Sequence, residues 1–398
     1  MSKNRENSIL LEMKNISIEG YSDEVWHPII KGVDLQIHRG EVLGLIGESG
    51  AGKSTLGLAA MGFVRAGCRF TGGSVLFGDQ DLTKMNENEK RELWGTKFSY
   101  VAQSAAAAFN PAHRLINQTI EASISHGISK TETLEQEAIT LYEEMQLPNP
   151  TEIGDRFPHQ VSGGQLQRTM TAMAMSSKPD LIIFDEPTTA LDVTTQVNVL
   201  ATIRNIVKEH NTAAIYITHD LAVVAQMADR IQVLRYGNTI EESETNKMLK
   251  TPKEDYTKSL WAVRSIKKKE NKNKEKILTI NNIDASYGSG PKVLQNVSIE
   301  VPKGGTVAIV GESGSGKSTT ARVVTGLLPP DKGEIIFQGQ KLTPNLSDRS
   351  KEDLRKIQMV YQSPDTSMNP RHTVRDLSLI HISEPTRPER IGYGGVCV

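Results

Sequence analysis

Short apolar runs alternate with longer stretches of helical periodicity along the first part of the chain. The segment Ile9–Ile46 is predicted to form short strands joined by turns. Asp180–Asp185 and Ala213–Thr218 are brief runs rich in apolar residues and bounded by polar ones, as expected of strands buried in a sheet. Between them, Thr195–His210 carries apolar residues at helical spacing. Strands alternating with helices predict an α/β layered core.

Two polar segments interrupt this pattern. Thr131–Met145 is polar and helix-prone, which predicts a helical insertion within the first α/β region. Lys267–Lys276 is a charge run, KKKENKNKEK, of the kind that usually forms a solvated linker. We therefore expect a domain boundary at this run.

A glycine-rich loop occurs twice. Each copy fits the pattern G-x-x-x-x-G-K-[ST], follows an apolar run (Val42–Ile46 or Val307–Val310) and precedes a helix-compatible stretch. The first copy consists of Gly47, Glu48, Ser49, Gly50, Ala51, Gly52, Lys53, Ser54 and Thr55, and the second of Gly311, Glu312, Ser313, Gly314, Ser315, Gly316, Lys317, Ser318 and Thr319. This strand-loop-helix context predicts two nucleotide-binding sites.

The residues of the loop suit nucleotide phosphates. Glycines let backbone N–H groups turn inward around the phosphates at a helix N-terminus. Lys53 and Lys317 would reach the β- and γ-phosphates. Ser54 and Ser318 would each offer a hydroxyl to Mg²⁺, which prefers oxygen ligands.

A second segment is also repeated. Tyr100–Ser104 corresponds to Met359–Ser363, with a glutamine at Gln103 and Gln362, and each copy is followed by an Asn-Pro pair. The repetition of two separate segments indicates an internal duplication.

Two carboxylates end a predicted buried strand. Asp185 and Glu186 would emerge at its carboxyl edge, where α/β sheets usually bind ligands. Asp185 is predicted to hold Mg²⁺, directly or through water. Glu186 is predicted to act as the general base that polarises the attacking water.

Composition narrows the functional classes. A formal net charge of -1 gives no support to nucleic-acid binding. Two cysteines without C-x-x-C spacing and nine scattered histidines without an H-E-x-x-H arrangement favour a reducing compartment and no zinc site. No apolar run approaches the length of a membrane span, and the polar N-terminus lacks a signal-peptide core. Any membrane span would come from a partner.

The segment Val161–Gln165, taken together with the first glycine-rich loop and the Asp185-Glu186 pair, closely resembles the signature of ATP-binding-cassette (ABC) ATPases. The resemblance implies an α/β P-loop NTPase fold with a helical subdomain, binding ATP and Mg²⁺. It also implies head-to-tail pairing, with each ATP between one domain's P-loop and the signature of the other. The signature residues expected to face the γ-phosphate of ATP are Ser162, Gly163, Gly164 and Gln165.

Other positions take roles from the same resemblance. Gln103 would sense Mg²⁺ and the attacking water, and Gln362 corresponds to it in the second copy. His219 would contact the γ-phosphate and orient the water. Asp192 would couple the two sites. Tyr287 would stack on adenine in the second copy.

The adenine contact of the first copy stays open between two aromatic residues. Tyr21 has a spacing to the P-loop lysine similar to that of the family. Trp26 is the alternative, and Tyr21 could instead serve strand-end packing.

Within this family, several segments look most like the oligopeptide and dipeptide importer group, which includes importers of glutathione and nickel. They are Phe157–Gln160, Ala190–Gln196 and Asn110-Pro111, and Pro252–Leu260 resembles the start of that group's C-terminal extension. The cysteine cluster that often follows there is absent, so no iron-sulfur cluster is predicted. The implied partners are integral-membrane permease subunits and an extracytoplasmic solute-binding protein, and the implied location is the cytoplasmic face of the membrane.

The predicted organisation has four parts. They are a first ABC nucleotide-binding domain (1–262), a charged linker (263–276), a truncated second copy (277–376) and a non-native tail (377–398). The tail resembles a translated sequencing adapter, and a second signature, Walker B pair and switch histidine would fall beyond Val398. Homodimerisation through the first domains is a hypothesis for how such a chain could turn over ATP.

Three alternatives remain from the sequence. A soluble tandem ATPase of the translation-factor type should have a longer helical linker than the one predicted here. A DNA-repair or chromosome ATPase should show zinc-ligand cysteines or long heptad arms. The third alternative is a nucleotide-binding fragment without turnover.

Overall fold

The computed structural model describes residues 8–188, 193–262, 275–311, 314–361, 368–369 and 371–376. By its internal contacts the chain divides into two compact units, Met1–Lys267 and Lys268–Val398. The predicted linker lies outside the described residues except for its last two positions, and the predicted tail lies wholly outside them.

The first unit mixes strands and helices throughout. Its elements, in chain order, are β1 (Ile9–Ser22), β2 (Val25–His38), β3 (Val42–Ile46), α1 (Lys53–Ala60), β4 (Cys68–Phe77), β5 (Gln80–Asp81), α2 (Glu87–Leu93), β6 (Phe98–Val101), α3 (Ala105–Ala108), α4 (Leu115–Ser125), α5 (Thr131–Glu144), α6 (Pro150–Ile153), a 3₁₀ turn (Pro158–Gln160), α7 (Gly163–Met175), β7 (Leu181–Asp185), α8 (Val193–Glu209), β8 (Ala213–Ile217), α9 (Leu221–Met227), β9 (Arg230–Arg235), β10 (Asn238–Glu244), α10 (Thr245–Lys250) and α11 (Asp255–Ala262).

An antiparallel sheet in the order β2-β1-β4-β5 begins the unit. The prediction of short strands over its first part was wrong, because β1 and β2 each run for 14 residues. The turn-like Asn15 and Gly32, both at positive φ, are absorbed as register shifts within the pair instead of ending it. Side chains close these irregularities: Asp34 accepts from the Asn15 N–H at 2.7 Å, and Ser17 accepts from the Gly32 N–H at 3.1 Å.

A second sheet forms the centre of the unit, in the order β10-β9-β3-β8-β7-β6. All of its strands are parallel except β10, which pairs antiparallel to β9. Strands β3, β7 and β8 are buried along their whole length, which explains their continuous apolar sequence. The sequence had predicted β7, β8 and the helix α8 between them, and the structure confirms all three.

The two faces of this sheet belong to different cores because side chains alternate along a strand. Leu43, Ile183 and Ile215 face the core shared with α1 and the antiparallel sheet. Phe184 and Tyr216 face the core shared with α8, α9 and the helices between β6 and β7. The sheet is therefore the middle layer of the unit.

The helices α3 to α7 form the predicted helical insertion. The predicted helix at Thr131–Met145 is observed as α5, and it packs on α4 and α7. Tyr142 of α5 is fully buried, and its hydroxyl lies 2.7 Å from the Thr119 hydroxyl of α4. This small subdomain ends with α7, which leads directly to β7.

The second unit contains a sheet similar to the first antiparallel sheet. Its described elements are β11 (Lys276–Ser286), β12 (Lys292–Pro302), α12 (Lys317–Thr325), β13 (Lys332–Phe337), β14 (Gln340–Lys341), a 3₁₀ turn (Leu346–Asp348) and α13 (Lys351–Lys356), with the sheet order β12-β11-β13-β14. A small core forms between this sheet and α12.

The strand expected before the second glycine-rich loop is not formed. Val307, Ile309 and Val310 are exposed and belong to no strand. In the first unit the corresponding strand β3 is paired on both sides, with β8 and β9. No described residue of the second unit pairs with Val307–Val310, so this apolar run lacks the neighbours that make β3 a strand.

Within the described ranges, no helix is both long enough and apolar enough to cross a bilayer.

Gly44, in the middle of β3, provides a test of the packing between the central sheet and α9. A Cβ added there would lie 2.2 Å from Val224 Cγ2 and 2.9 Å from the Ala228 Cβ. Because overpacking a filled core forces its neighbours apart, we expect Gly44→Ala to lower the free energy of unfolding by about 1–3 kcal/mol. Urea unfolding followed by tryptophan fluorescence measures this, since all three tryptophans lie in the first unit.

Gly72→Ala is the matched control, because a Cβ at Gly72 would meet Ser17 only at an ordinary 3.8 Å. We expect its free energy of unfolding to stay within about 0.5 kcal/mol of the original protein. Equal effects of the two substitutions would contradict the proposed close packing of β3 on α9.

Candidate functional site

Four neighbouring parallel strands lead to the predicted site residues at one edge of the central sheet. β3 ends in the first glycine-rich loop and β7 ends at Asp185, while Gln103 follows β6 and His219 follows β8. The carboxyl ends of parallel strands share one edge, where ligands of α/β proteins usually bind. The sheet topology thus brings together residues that are far apart in the sequence.

The backbone of the loop requires glycine at two positions. Gly47 has a φ of 152°, and a Cβ there would lie 2.2 Å from the Leu234 carbonyl oxygen. Gly52 has a φ of 98° and is the N-cap of α1. These conformations turn the loop tightly around the helix N-terminus, where backbone N–H groups and the helix dipole favour an anion.

Lys53 holds the loop together from inside. Its ammonium donates hydrogen bonds to the carbonyls of Gly47 and Glu48, both at 2.8 Å, and the residue is only 6 % exposed. Burial lowers the pKa of Lys53 from its ordinary value, while the nearby carboxylates of Glu186 and Asp185 oppose that shift.

Asp185 is held by two hydroxyl donors. Ser54 donates to its Oδ1 at 2.9 Å, and Tyr100 donates to its Oδ2 at 2.7 Å. The side chain is nearly buried at the end of β7. Ser54 and Asp185, both predicted to hold Mg²⁺, are therefore in direct contact through a hydrogen bond.

Sequence reasoning missed Tyr100. Burial, together with the hydrogen bond to Asp185, raises the pKa of its hydroxyl above the ordinary value, so Tyr100 stays protonated as a donor. The sequence did place Tyr100 three residues before Gln103. The sheet order explains the contact, because Tyr100 lies in β6, the strand next to β7.

The Glu186 carboxylate is within hydrogen-bonding distance of two other predicted residues, Gln103 and His219. Gln103 Nε2 donates to one carboxylate oxygen at 3.2 Å, and His219 Nδ1 lies 2.9 Å from the other. Glu186 itself has a φ of 49° in the left-handed region, while its N–H donates to the Ile217 carbonyl at 3.0 Å. This backbone bend turns the carboxylate away from the line of β7, toward Gln103 and His219.

These residues line one open cleft of about 760 Å³ in the first unit. The lining consists of Ile29, Ser49, Gly50, Gly52, Lys53, Ser54, Thr55, Gln103, Asp185, Glu186 and His219. All of them except Ile29 were predicted from the sequence. Ile29, in β2, adds an apolar wall that no sequence motif indicated.

The oxygen donors of this cleft suit a hard cation. A hydroxyl and a carboxylate, from Ser54 and Asp185, lie in direct contact beside the glycine-rich loop. Mg²⁺ usually takes only one or two protein carboxylates and completes its shell with water and substrate phosphates. No group of three or more His, Cys, Asp or Glu within the described ranges is arranged to hold a metal ion.

The signature segment lies at the start of α7 and does not line this cleft. Ser162 is the N-cap: its Oγ accepts from the Gln165 N–H at 3.2 Å, and the Gln165 side chain accepts from the Ser162 N–H at 3.0 Å. A Cβ added at Gly163 would meet nothing within 4 Å. This capping box leaves an exposed helix N-terminus with open space in front of it.

Two contacts fix α7 within the unit. Gln167, only 2 % exposed, donates from Nε2 to the Ala102 carbonyl at 3.2 Å, next to Gln103. Arg168 donates to the Met145 carbonyl at 3.1 Å. The helix that begins with the signature is therefore hydrogen-bonded to the glutamine loop.

The two aromatic candidates of the first unit are neighbours. Tyr21 and Trp26 face each other across the β1–β2 hairpin, with ring centroids 5.1 Å apart. The Arg69 guanidinium lies 3.9 Å from the Trp26 ring centroid and covers one of its faces, while Tyr21 is 53 % exposed. Neither ring is among the lining residues of the cleft, so the choice between them stays a prediction.

The second glycine-rich loop repeats the lysine contact. Lys317 donates to the Gly311 carbonyl at 2.8 Å and lies 3.5 Å from the Ser315 hydroxyl. Gly314 and Gly316 have positive φ, as the corresponding Gly50 and Gly52 do.

Tyr287 reaches the helix that follows this loop. Its hydroxyl lies 3.3 Å from the Thr319 hydroxyl and accepts from Arg322 at 3.2 Å. The hydrogen bond from Thr319 lowers the pKa of Tyr287, and Arg322 adds to that effect. Ser318 is exposed at the start of α12. Asp192, Glu312, Ser313 and Gln362 lie outside the described residues.

Tyr256 is a further contact that the sequence did not indicate. Its hydroxyl accepts from the Glu48 N–H of the loop at 3.3 Å, and the Arg235 guanidinium lies 4.4 Å from its ring centroid. Tyr256 belongs to α11, within the segment that resembles the C-terminal extension of the importer group. This segment thus supports the glycine-rich loop from its outer side.

Known proteins resemble the whole chain. The glutathione import ATP-binding protein GsiA of Escherichia coli (strain K12) is 32 % identical over 423 residues, covering 95 % of this chain and 67 % of the relative. The protein of the same name from Salmonella choleraesuis is 30 % identical, covering 97 % of this chain and 68 % of the relative. The chain thus spans about two thirds of the length of these relatives.

Solved structures agree on the fold. A bacterial ABC transporter cassette solved as a dimer matches with a TM-score of 0.54 at 25 % identity, covering 59 % of this chain and 98 % of that one. A second structure of the same cassette, a dimer in a post-hydrolysis state with ADP and phosphate, gives the same TM-score at 24 % identity. The family described as ABC transporter matches residues 30–189 and 294–391, which include both glycine-rich loops. The chain therefore belongs to the ABC transporter family.

Proposed function

We propose that this chain is the ATP-binding and ATP-hydrolysing subunit of an importer of a small solute of the peptide class. The observation that carries the proposal is the contact of Gln103 and His219 with Glu186, in the cleft that also holds Lys53. Attack of water on a phosphoryl group requires a base in a fixed orientation beside the phosphate, and here two side chains orient a carboxylate next to a phosphate-binding loop.

The first glycine-rich loop binds the phosphates of ATP. Its N–H groups and the α1 N-terminus meet the anion, and the buried Lys53 ammonium adds a charge that water screens little. Ser54 and Asp185 would hold Mg²⁺, which would supply positive charge beside the phosphate oxygens. Bringing a phosphate beside Lys53 also compensates the cost of keeping that ammonium buried.

Glu186 acts as the general base for the attacking water. Its backbone bend at φ 49° fixes the carboxylate in place, and Gln103 and His219 restrict its rotation by holding both oxygens. His219 is largely exposed on the cleft side and is free to contact the γ-phosphate once nucleotide is present. Orientation of this kind lowers the barrier without changing the base itself.

The signature completes the site from another domain. Ser162 and the exposed N-terminus of α7 lie outside the cleft of their own unit, as head-to-tail pairing of nucleotide-binding domains would require. Gly163 leaves room for a phosphate to approach the backbone. The dimeric state of a similar cassette supports this pairing.

The names of the similar proteins support a role in import. Two are named glutathione import ATP-binding proteins, and glutathione is a small peptide-like solute. We infer that the chain works at the cytoplasmic face of the membrane, bound to integral-membrane permease subunits that receive solute from an extracytoplasmic solute-binding protein. ATP drives transport if it binds the closed pair of domains more tightly than the open one.

A polar surface depression is the proposed docking site for the permease. It has a volume of about 280 Å³ and lies after the glutamine loop, lined by Asn110, His113, Asn117, Gln118, Glu121, Ile124 and Ser125. The Gln118 side chain ties the loop to α4, with bonds to the backbone of Asn110 and His113. A permease loop seated here would contact the segment that follows Gln103.

Nucleotide binding by the first loop predicts a ligand-dependent stability. At a concentration one hundred times the dissociation constant, ADP should stabilise the protein by about 2.7 kcal/mol. We expect Lys53→Met to abolish most of this increase in the first unit, because the variant loses the buried phosphate-facing charge. Thermal unfolding with and without ADP, followed by tryptophan fluorescence, makes the comparison within the first unit. Lys178→Met, at an exposed position between α7 and β7, should keep the full shift, and a normal shift in Lys53→Met would exclude this site.

Hydrolysis predicts a specific effect at Glu186. We expect Glu186→Gln to lower ATP turnover by about 10²-fold or more while ATP binding is retained, because the amide cannot accept the proton of water. Glu135→Gln, an exposed residue of α5, is the control.

Turnover is measured as phosphate release over a range of protein concentrations. A rate per molecule that rises with concentration would support pairing through first domains, and a constant rate in a monomer would exclude it. ATP binding without any turnover would instead favour the nucleotide-binding fragment.

The docking site predicts a charge-sensitive membrane association. We expect Glu121→Arg to reduce several-fold the share of the chain that sediments with membranes of its own host, without a change in ATP binding. Glu135→Arg makes the same charge change on α5, outside the depression, and should sediment normally. Equal sedimentation of both variants would place the permease contact elsewhere.

A further inference from the structure

The Asp185 carboxylate is held on both of its oxygens before any ligand is considered. Ser54 donates to Oδ1, and this hydroxyl is also the one proposed to bind Mg²⁺. Tyr100 donates to Oδ2 from the neighbouring strand β6, at 2.7 Å. When the Ser54 hydroxyl turns its lone pair toward a cation, Tyr100 remains as the fixed partner of Asp185.

The positive charge of Arg65 also acts on Tyr100. The positive charge of the exposed Arg65 side chain lowers the pKa of the Tyr100 hydroxyl, against the larger effects of burial and of Asp185. A hydroxyl that accepts from a cation becomes a better donor, because hydrogen bonds in a chain polarise one another. The charge of Arg65 thus favours the Tyr100 hydroxyl as a donor to Asp185, which it meets at 2.7 Å.

Neither Arg65 nor Tyr100 recurs at the corresponding position of the internal repeat. Three residues after the glycine that follows the first phosphate-binding helix stands Arg65, and at the same place in the second half stands Pro329. Three residues before the repeated glutamine stand Tyr100 in the first half and Met359 in the second. The second half therefore has neither the hydroxyl nor the guanidinium at these two positions.

We propose that Tyr100 is a positioning residue that orients Asp185 for Mg²⁺ in the first site, and that Arg65 acts through Tyr100. The inference rests on the proposed Mg²⁺-dependent nucleotide site. Tyr100 does not touch the nucleotide in this scheme; it keeps the carboxylate from rotating out of the line between β7 and Ser54. Partners of metal-ligating carboxylates commonly change metal affinity about 10- to 100-fold when removed.

The test measures binding of a fluorescent ATP analogue to the full chain while free Mg²⁺ is titrated. For Tyr100→Phe we expect the Mg²⁺ midpoint to rise about tenfold, with binding in the absence of Mg²⁺ unchanged, because the glycine-rich loop and Lys53 are untouched. Arg65→Met should raise the midpoint less, and the double variant should match Tyr100→Phe alone, since Arg65 acts through the hydroxyl.

Tyr142→Phe is the matched control. It also removes a buried tyrosine hydroxyl, one bonded to Thr119 in the helical subdomain, and should leave the Mg²⁺ midpoint unchanged. Thermal unfolding shows whether each variant is folded, and the exposed Arg65→Met keeps the test valid if Tyr100→Phe is not.

Three results would overturn the proposal. They are an unchanged midpoint in Tyr100→Phe, an equal loss of binding with and without Mg²⁺, and effects of Arg65→Met and Tyr100→Phe that simply add. A wild-type chain whose nucleotide binding does not respond to Mg²⁺ would instead refute the proposed metal site on which the inference rests.

Discussion

The buried ammonium of Lys53 is the interaction on which the cleft depends. An ammonium removed from water is costly unless it is paired and hydrogen-bonded. Two loop carbonyls solvate it in part, and two carboxylates at the end of the next-but-one strand supply opposite charge. The glycine-rich loop closes around this charge, and α1 starts directly from it. The need to solvate this one side chain therefore explains the positions of the loop, of α1 and of the carboxylate pair.

Burying the lysine in this way requires a complete central sheet. β3 can carry the loop because β8 and β9 pair with it on both sides, and β8 also brings β7 with its carboxylates into reach. In the second unit the same loop sequence keeps its lysine contact and its glycine conformations. The apolar run that leads to it is nevertheless exposed. The local conformation of the loop is thus encoded by its own residues, whereas its burial depends on strands from elsewhere in the chain.

The same distinction explains what could be read from the sequence. The loops, β7, β8, α5 and α8 were predicted because each is defined by a run of adjacent residues. The lengths of β1 and β2 were not, since Asn15 and Gly32 resemble turn signals and become register shifts only when the partner strand supplies Asp34 and Ser17. Tyr100, Ile29 and Tyr256 were missed for a related reason: each reaches the site from another element, and no local pattern records that contact.

The glutamine loop and the signature are parts of one hydrogen-bonded assembly. Gln103 contacts the carboxylate proposed as base, and the preceding residue, Ala102, accepts from Gln167 on α7. Because Gln167 is buried, breaking its bond to Ala102 would leave a polar amide unsatisfied at a cost of about 1–3 kcal/mol. Displacing Gln103 is therefore easier if α7 moves with it. Ser162 caps the N-terminus of α7, so a change at the base would be transmitted to the surface that we propose to meet another nucleotide-binding domain.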